Sequence, residues 1–134
     1  MKYYSTNHKA PLASLHEAVV RGLAPDRGLY MPERINRLPQ EFFDNIDKLS
    51  FQEIAYNVAQ AFFGEDVEPE ALKKIVYDTL AFDCPIVEVE PNIYSLELFH
   101  GPTLAFKDVG ARFMARLLQY FIRQEGKEQV NVLV

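Results

Sequence analysis

ELFHGPTLAFKDVG, residues 97–110, closes a run of alternating apolar residues, turns on Gly101-Pro102 and opens an apolar helix with Lys107 in its first turn. The amino end of a helix carries a partial positive charge, so a cation there is disfavoured by about 0.3–1 kcal/mol. Ala105 and Phe106 offer an ammonium little solvation, so solubility does not account for this lysine. Two readings stand side by side. In the first, Lys107 snorkels to water or pairs with Asp108. In the second, its amine condenses with a carbonyl to form a Schiff base. Apolar neighbours and the positive helix end favour the neutral amine which that chemistry needs, while Asp108 favours the ammonium.

Upstream of this stretch, PIVEVEP and NIYSLELF alternate with period two across Pro91-Asn92, which predicts an antiparallel hairpin. Downstream, Val109, Phe113, Met114, Leu117, Leu118 and Phe121 share one face of a helix that runs to about Arg123, where Gly126 allows it to stop. QVNVLV, residues 129–134, then reads as a strand buried in a parallel sheet. Such a strand needs a neighbour, so further chain is expected beyond Val134.

Towards the amino end the pattern is helical. Ser14 with Glu17, and Ser50 with Glu53, form S-x-x-E capping patterns. The first opens a helix with Leu15, Ala18, Val19 and Leu23 on one face, ended by Ala24-Pro25; a short extended piece, Lys2 to Ser5, precedes it. The second opens a helix with Phe51, Ile54, Ala55, Val58, Ala59 and Phe62 at helical spacing, stopped by Gly64. Pro69 suits the first position of a third helix that buries Leu72, Ile75, Val76, Thr79 and Leu80. The acids Glu65, Asp66, Glu68 and Glu70 read as helix-start chemistry. PDRGLYMPERINRLP, with three prolines, is a connector packed by Leu29 and Tyr30, with one helical turn beyond Pro39, and Asp26 and Arg27 have turn roles. The fold class is therefore mixed α/β, a small helical domain at residues 1–80 followed at 81–134 by a hairpin and the first helix and strand of an incomplete α/β domain.

Bulk properties narrow the function. A chain of 134 residues, 49% hydrophobic, holds one ordinary domain or a small domain with part of a larger one. The net charge of -5 with dispersed basic residues argues against a nucleic-acid or anionic-membrane partner. No apolar run reaches the roughly 18 residues of a spanning helix, and MKYYSTNHKAPLAS is no signal peptide, so the expected location is cytoplasmic. The single Cys84 forms no internal disulfide and reads as an inert, half-buried thiol, and no metal site is expected. His8 and His16 show no partner spacing.

HGPTLAFKDVGARFMA, residues 100–115, resembles the pyridoxal-phosphate lysine motif of threonine synthases, and GLAPDRGLYMPE, residues 22–33, resembles a signature of the same family's amino-terminal domain. Arg27 departs from the pattern, where members often carry glycine or a small polar residue. The resemblance implies a cytoplasmic pyridoxal-phosphate lyase of the tryptophan-synthase β-subunit fold type. It converts a small-molecule substrate, O-phosphohomoserine, and water to threonine and phosphate. Lys107 would hold pyridoxal 5'-phosphate as a Schiff base and then move protons on the substrate, and Phe106 and Asp108 would be among the cofactor-binding residues. Thr103 either caps the helix or lines the cofactor site. His100 is either a packed strand-end residue or receives the substrate phosphate. Asp108 compensates the helix dipole or orients the site as an ion-pair partner, and Gly110 lets another backbone pack closely. The glycine-rich phosphate loop of such enzymes follows the strand that resembles QVNVLV, so this chain alone is expected to be inactive. The alternatives are a phospholyase that releases a keto acid, and a non-catalytic fragment that acts through contacts.

Overall fold

Three short segments form a small sheet near the amino end. Strand β1, Lys2–Ser5, lies between β2, Ala13–Ser14, and β3, Tyr30–Pro32, in an antiparallel sheet of order β2-β1-β3. Tyr3 pairs with Ala13 on one side and Pro32 on the other. Alternation along β1 turns Tyr3 and Ser5 inward. A computed structural model describes residues 1–126 of the chain, and the expected strand QVNVLV lies outside the described residues.

Ser14 ends β2 and starts helix α1, Leu15–Arg21, its side chain accepting from the Glu17 amide at 3.1 Å. Glu17 does not return the bond; its carboxylate pairs with Arg21. The helix stops before Ala24-Pro25, because the chain swings away at Gly22, and this carries the expected core residue Leu23 outward to 55% exposure. Leu29, expected to pack the connector, is likewise exposed, whereas Tyr30 packs against the core. Helix α2, Gln40–Asp44, is the single turn expected beyond Pro39, followed by a 3-10 turn at Ile46–Lys48.

Helix α3, Phe51–Phe63, has a complete capping box: Ser50 Oγ accepts from the Glu53 amide, and Glu53 accepts from the Ser50 amide at 2.7 Å. Helix α4, Pro69–Thr79, buries four of the five expected residues, and the fifth, Leu80, is buried at its C-cap. One core collects Tyr3, Leu15, Ala18, Ala59, Leu72, Ile75, Val76 and Leu80. It also takes Leu117 and Phe121 from the last helix, α5, Lys107–Gln124. The α5 face is narrower than its periodicity suggests, since Met114 is exposed while Ile122 is buried. His16 Nε2 lies 2.8 Å from Glu125 Oε1, where α1 packs against the end of α5.

Two polar clusters hold the amino-terminal sheet in place. Asp26 accepts from Ser5 Oγ at 2.6 Å and from the amides of Lys9, Ala10 and Gly28, and these bonds, with Ser5 the largest contributor, hold its carboxyl at about 2. Gly28 is fitted to this cluster, for a Cβ there would collide with Ser5 Oγ and lie 2.9 Å from the Asn7 amide. Arg27 beside it has φ 66°, in the left-handed region where a residue with a Cβ is strained and glycine is not.

The second cluster corrects the reading of the acidic run. Glu65 and Asp66 are not helix-start residues; they grip the Met1 ammonium at 3.2 and 3.0 Å, and Glu65 also takes Arg34 and Asn36. Asn36, Arg34 and the ammonium together hold the Glu65 carboxyl at about 2, and the hydrogen bond to Asp66 leads in raising the Met1 ammonium above its ordinary value. Side-chain pairing wins because each carboxylate meets a full charge, against the partial charge at a helix end.

Strands β4, Ile86–Glu90, and β5, Ile93–Leu96, form the expected hairpin, with Asn92 at φ 64° in its turn and an irregularity between Glu88 and Glu90. Every residue of both strands is exposed. Among the described residues no helix is long and apolar enough to cross a membrane, and no cluster of three His, Cys, Asp or Glu side chains could hold a metal ion. Cys84 is half-buried, and burial pushes its thiol up.

Candidate active site

Lys107 is the first residue of α5, as its sequence context predicts. The preceding loop folds through two successive turns: the Leu104 amide donates to the Gly101 carbonyl at 3.0 Å, and the Asp108 amide to the Ala105 carbonyl at 3.1 Å. The helix start has no side-chain cap, its N-cap position being Phe106 in helical conformation. Thr103 is thus not the cap. Its amide and its hydroxyl both donate to Asp108 Oδ2, at 2.8 and 2.9 Å.

Asp108 is buried at 3% exposure, and no ion pair joins it to Lys107 among the described residues. Adjacent positions of a helix point about 100° apart, so one side chain enters the protein and the other leaves it. Lys107 is exposed, and its apolar neighbours Leu104 and Phe106 stand in solvent at 77% and 67% exposure. The described residues therefore give the amine freedom from internal partners, and not the apolar enclosure expected of it.

His100 is drawn to an acid. Its Nε2 lies 2.6 Å from Glu97 Oε2, and its ring stacks on Phe99 at 4.7 Å. A carboxylate at that distance works against an incoming anion. Gly110 has open space where a side chain would project, so no backbone packs there among the described residues.

Beside the first turns of α5 an open apolar groove of about 530 Å3 runs between α3, α4 and α5, with Phe51, Val58, Phe62, Val109 and Phe113 among its walls. Phe51 and Val58, expected in the α3 core stripe, are on this open surface, 43% and 39% exposed. Thr79 lines the groove with a buried hydroxyl that has no hydrogen-bond partner among the described residues.

Residues 2–80 match the family model described as threonine synthase N terminus. The chain belongs to this family. Similarity to threonine synthases extends beyond the matched segment: the chain is 36% identical over 133 residues to threonine synthase of Escherichia coli (strain K12), covering 99% of itself and 30% of that protein. It is 37% identical over 150 residues to threonine synthase of Saccharomyces cerevisiae, covering 98% of itself and 29% of that protein. The solved structure of PLP-bound threonine synthase from Brucella melitensis superposes with a TM-score of 0.87 at 37% identity, covering 94% of this chain and 28% of that one. The chain thus spans about 30% of the length of the curated threonine synthases it matches.

Reading the sequence missed the Met1 ammonium site and the reach of Asp26. The partners of Met1 are Glu65 and Asp66, the latter 65 residues away, and no local spacing announces them. Asp26 had a local signal in its Asp-x-Gly turn, which accounts for the bond to Gly28 but not for those to Ser5, Lys9 and Ala10.

Proposed function

We propose that this segment serves a threonine synthase, which converts O-phosphohomoserine and water to threonine and phosphate, with Lys107 as its cofactor-bearing and proton-transferring residue. Residues 1–80 form the amino-terminal domain in this reading, and residues 81–134 open the catalytic one. The observation that carries it is the place of Lys107, at the first position of α5 in a chain whose family membership is established, with no hydrogen bond or ion pair to occupy its amine among the described residues.

The residues present fit pyridoxal phosphate at one point, an exposed primary amine able to bond the cofactor aldehyde. When bound, that group supplies an electron sink for negative charge on the substrate carbons. Lys107 Nζ would hold it, and as a free amine would take a proton from one substrate carbon and return it to another. Phe106 stands beside Lys107 with its ring in solvent, available to cover one side of the site. Thr103 and Asp108 are engaged with each other, and His100 with Glu97, so none of the three is assigned to a phosphate.

The test is chemical. In the full-length protein, of the length its relatives have, borohydride reduction in the presence of cofactor should label Lys107, and label on another lysine overturns the assignment. Lys107→Arg should abolish turnover while leaving the amino-terminal core intact. Product analysis with O-phosphohomoserine should yield threonine and phosphate in equal amounts; a keto acid in place of threonine would replace the synthase reading with the phospholyase one.

A further inference from the structure

We propose that Asp108 is a positioning residue for Lys107, acting through the hydrogen bonds its carboxylate accepts from Thr103 and not through its charge. The proposal rests on the reading of Lys107 given above. Three observations carry it. Among the described residues Asp108 is one of three buried polar or charged ones, with Ser5 and Thr79, and its Oδ2 accepts from both the amide and the hydroxyl of Thr103. A buried carboxylate persists only where hydrogen bonds replace water, and here those bonds come from the loop that leads into Lys107.

Next, the Gly101 turn is shaped around that carboxylate. A Cβ at position 101 would lie 2.5 Å from Asp108 Oδ2 and 2.7 Å from Asp108 Cβ, so a residue larger than glycine would push the carboxylate away. Finally, Leu104, between Thr103 and the helix, has φ 55°. An L-residue adopts that conformation only where its surroundings impose it.

Together these contacts close residues 103–108 into a loop whose last member is hydrogen-bonded to its first, with Gly101 leaving room for the same carboxylate. Lys107 is covalently next to the fixed residue, and its Cα and the direction in which its side chain leaves the helix are set by it. An amine that must reach an aldehyde and then two substrate carbons depends on this direction, since misplacement by about 1 Å can cost about 100-fold in rate.

The experiment compares Asp108→Asn, Asp108→Ala and Gly101→Ala in the full-length protein. An Asn Oδ1 can accept both Thr103 bonds without charge; Ala accepts neither; Gly101→Ala displaces the carboxylate but leaves it charged. Three quantities are read: hydrogen exchange of the Thr103 amide in cofactor-free protein, the rate at which borohydride traps cofactor on Lys107, and turnover. Asp108→Ala should deprotect Thr103 and slow trapping and turnover about 100-fold. Asp108→Asn should recover at least about ten-fold of that loss, and Gly101→Ala should behave like Asp108→Ala.

Wild-type trapping rates in Asp108→Ala would overturn the proposal, as would Asp108→Asn being as impaired as Asp108→Ala. Should Asp108→Ala fail to fold, Gly101→Ala decides, and unchanged Thr103 exchange and trapping in that variant would overturn it. Failure of the Lys107 reading is seen separately, as label on another lysine in the unmutated protein, and this too overturns the proposal.

Discussion

The helices α1, α3 and α4 and the hairpin β4–β5 use similar apolar residues to opposite ends. In α4, Leu72 is 0% exposed and Val76 2%, closed over by α3 and α5; in the hairpin, Ile86 is 69% exposed and Val89 63%. The difference lies in what each element meets. A helix with one apolar stripe is satisfied by a single packed layer, whereas a two-stranded ribbon leaves both faces bare, and such ribbons are marginal in water by themselves. Stability in this chain is thus concentrated in the helices and the small sheet, and the candidate site lies where the two regions join.

The sharpest way to break that contrast is to remove a core side chain. Leu72→Ala should destabilise the chain by about 2–5 kcal/mol, because the surrounding helices cannot collapse into the space, and denaturant unfolding followed by circular dichroism would measure it. A cost below about 1 kcal/mol would mean that the core is far looser than its burial indicates. Gly28→Ala should cost about 1–3 kcal/mol through a different mechanism, overpacking against Ser5 and loss of its bond to Asp26, and the same titration reads it.

Acid separates the regions by charge. The carboxyls of Asp26 and Glu65 are held at about 2, below ordinary values of 3.8 and 4.5. Groups depressed in the folded state contribute stability that is present above their ordinary values and lost as pH falls towards about 2. The melting temperature should therefore drop between about pH 4.5 and 2, and Asp26→Asn should flatten part of that slope; an unchanged slope counts against the Asp26 cluster. The Met1 ammonium works in the other direction, since its raised value makes its contribution complete below 8.0 and lost at higher pH.

The smallest effect belongs to the hairpin. Val89→Thr should change stability by less than about 0.5 kcal/mol, and amides of residues 86–96 should exchange much faster than those of α4. Protection of the hairpin equal to that of α4 would erase the contrast, and would mean that something covers those strands in solution.

Legibility followed the range of the interactions. The α3 capping box and Pro69 at the head of α4 are local devices, readable from residues three or four apart, and both were recovered with their helix starts. The hairpin was readable because alternation and the Pro91-Asn92 turn are also local. The sheet β2-β1-β3 was not, since its outer strands have two and three residues and its pairing joins position 3 to position 32. For the same reason the sequence around Glu65 and Asp66 points to the nearest helix, whereas their partner is Met1.

At the candidate site the split is the same. From residue order alone came a lysine in the first turn of an apolar helix, the turn before it, and the resemblance that names its chemistry, because covalent neighbours and helical periodicity are properties of the linear chain. That Thr103 and Asp108 bind each other, that Lys107 faces solvent while Asp108 is buried, and that His100 pairs with Glu97 were decided by the folded structure alone. A side chain with several possible partners takes the one that the folded backbone brings within hydrogen-bond distance, and the backbone path is a property of the whole fold.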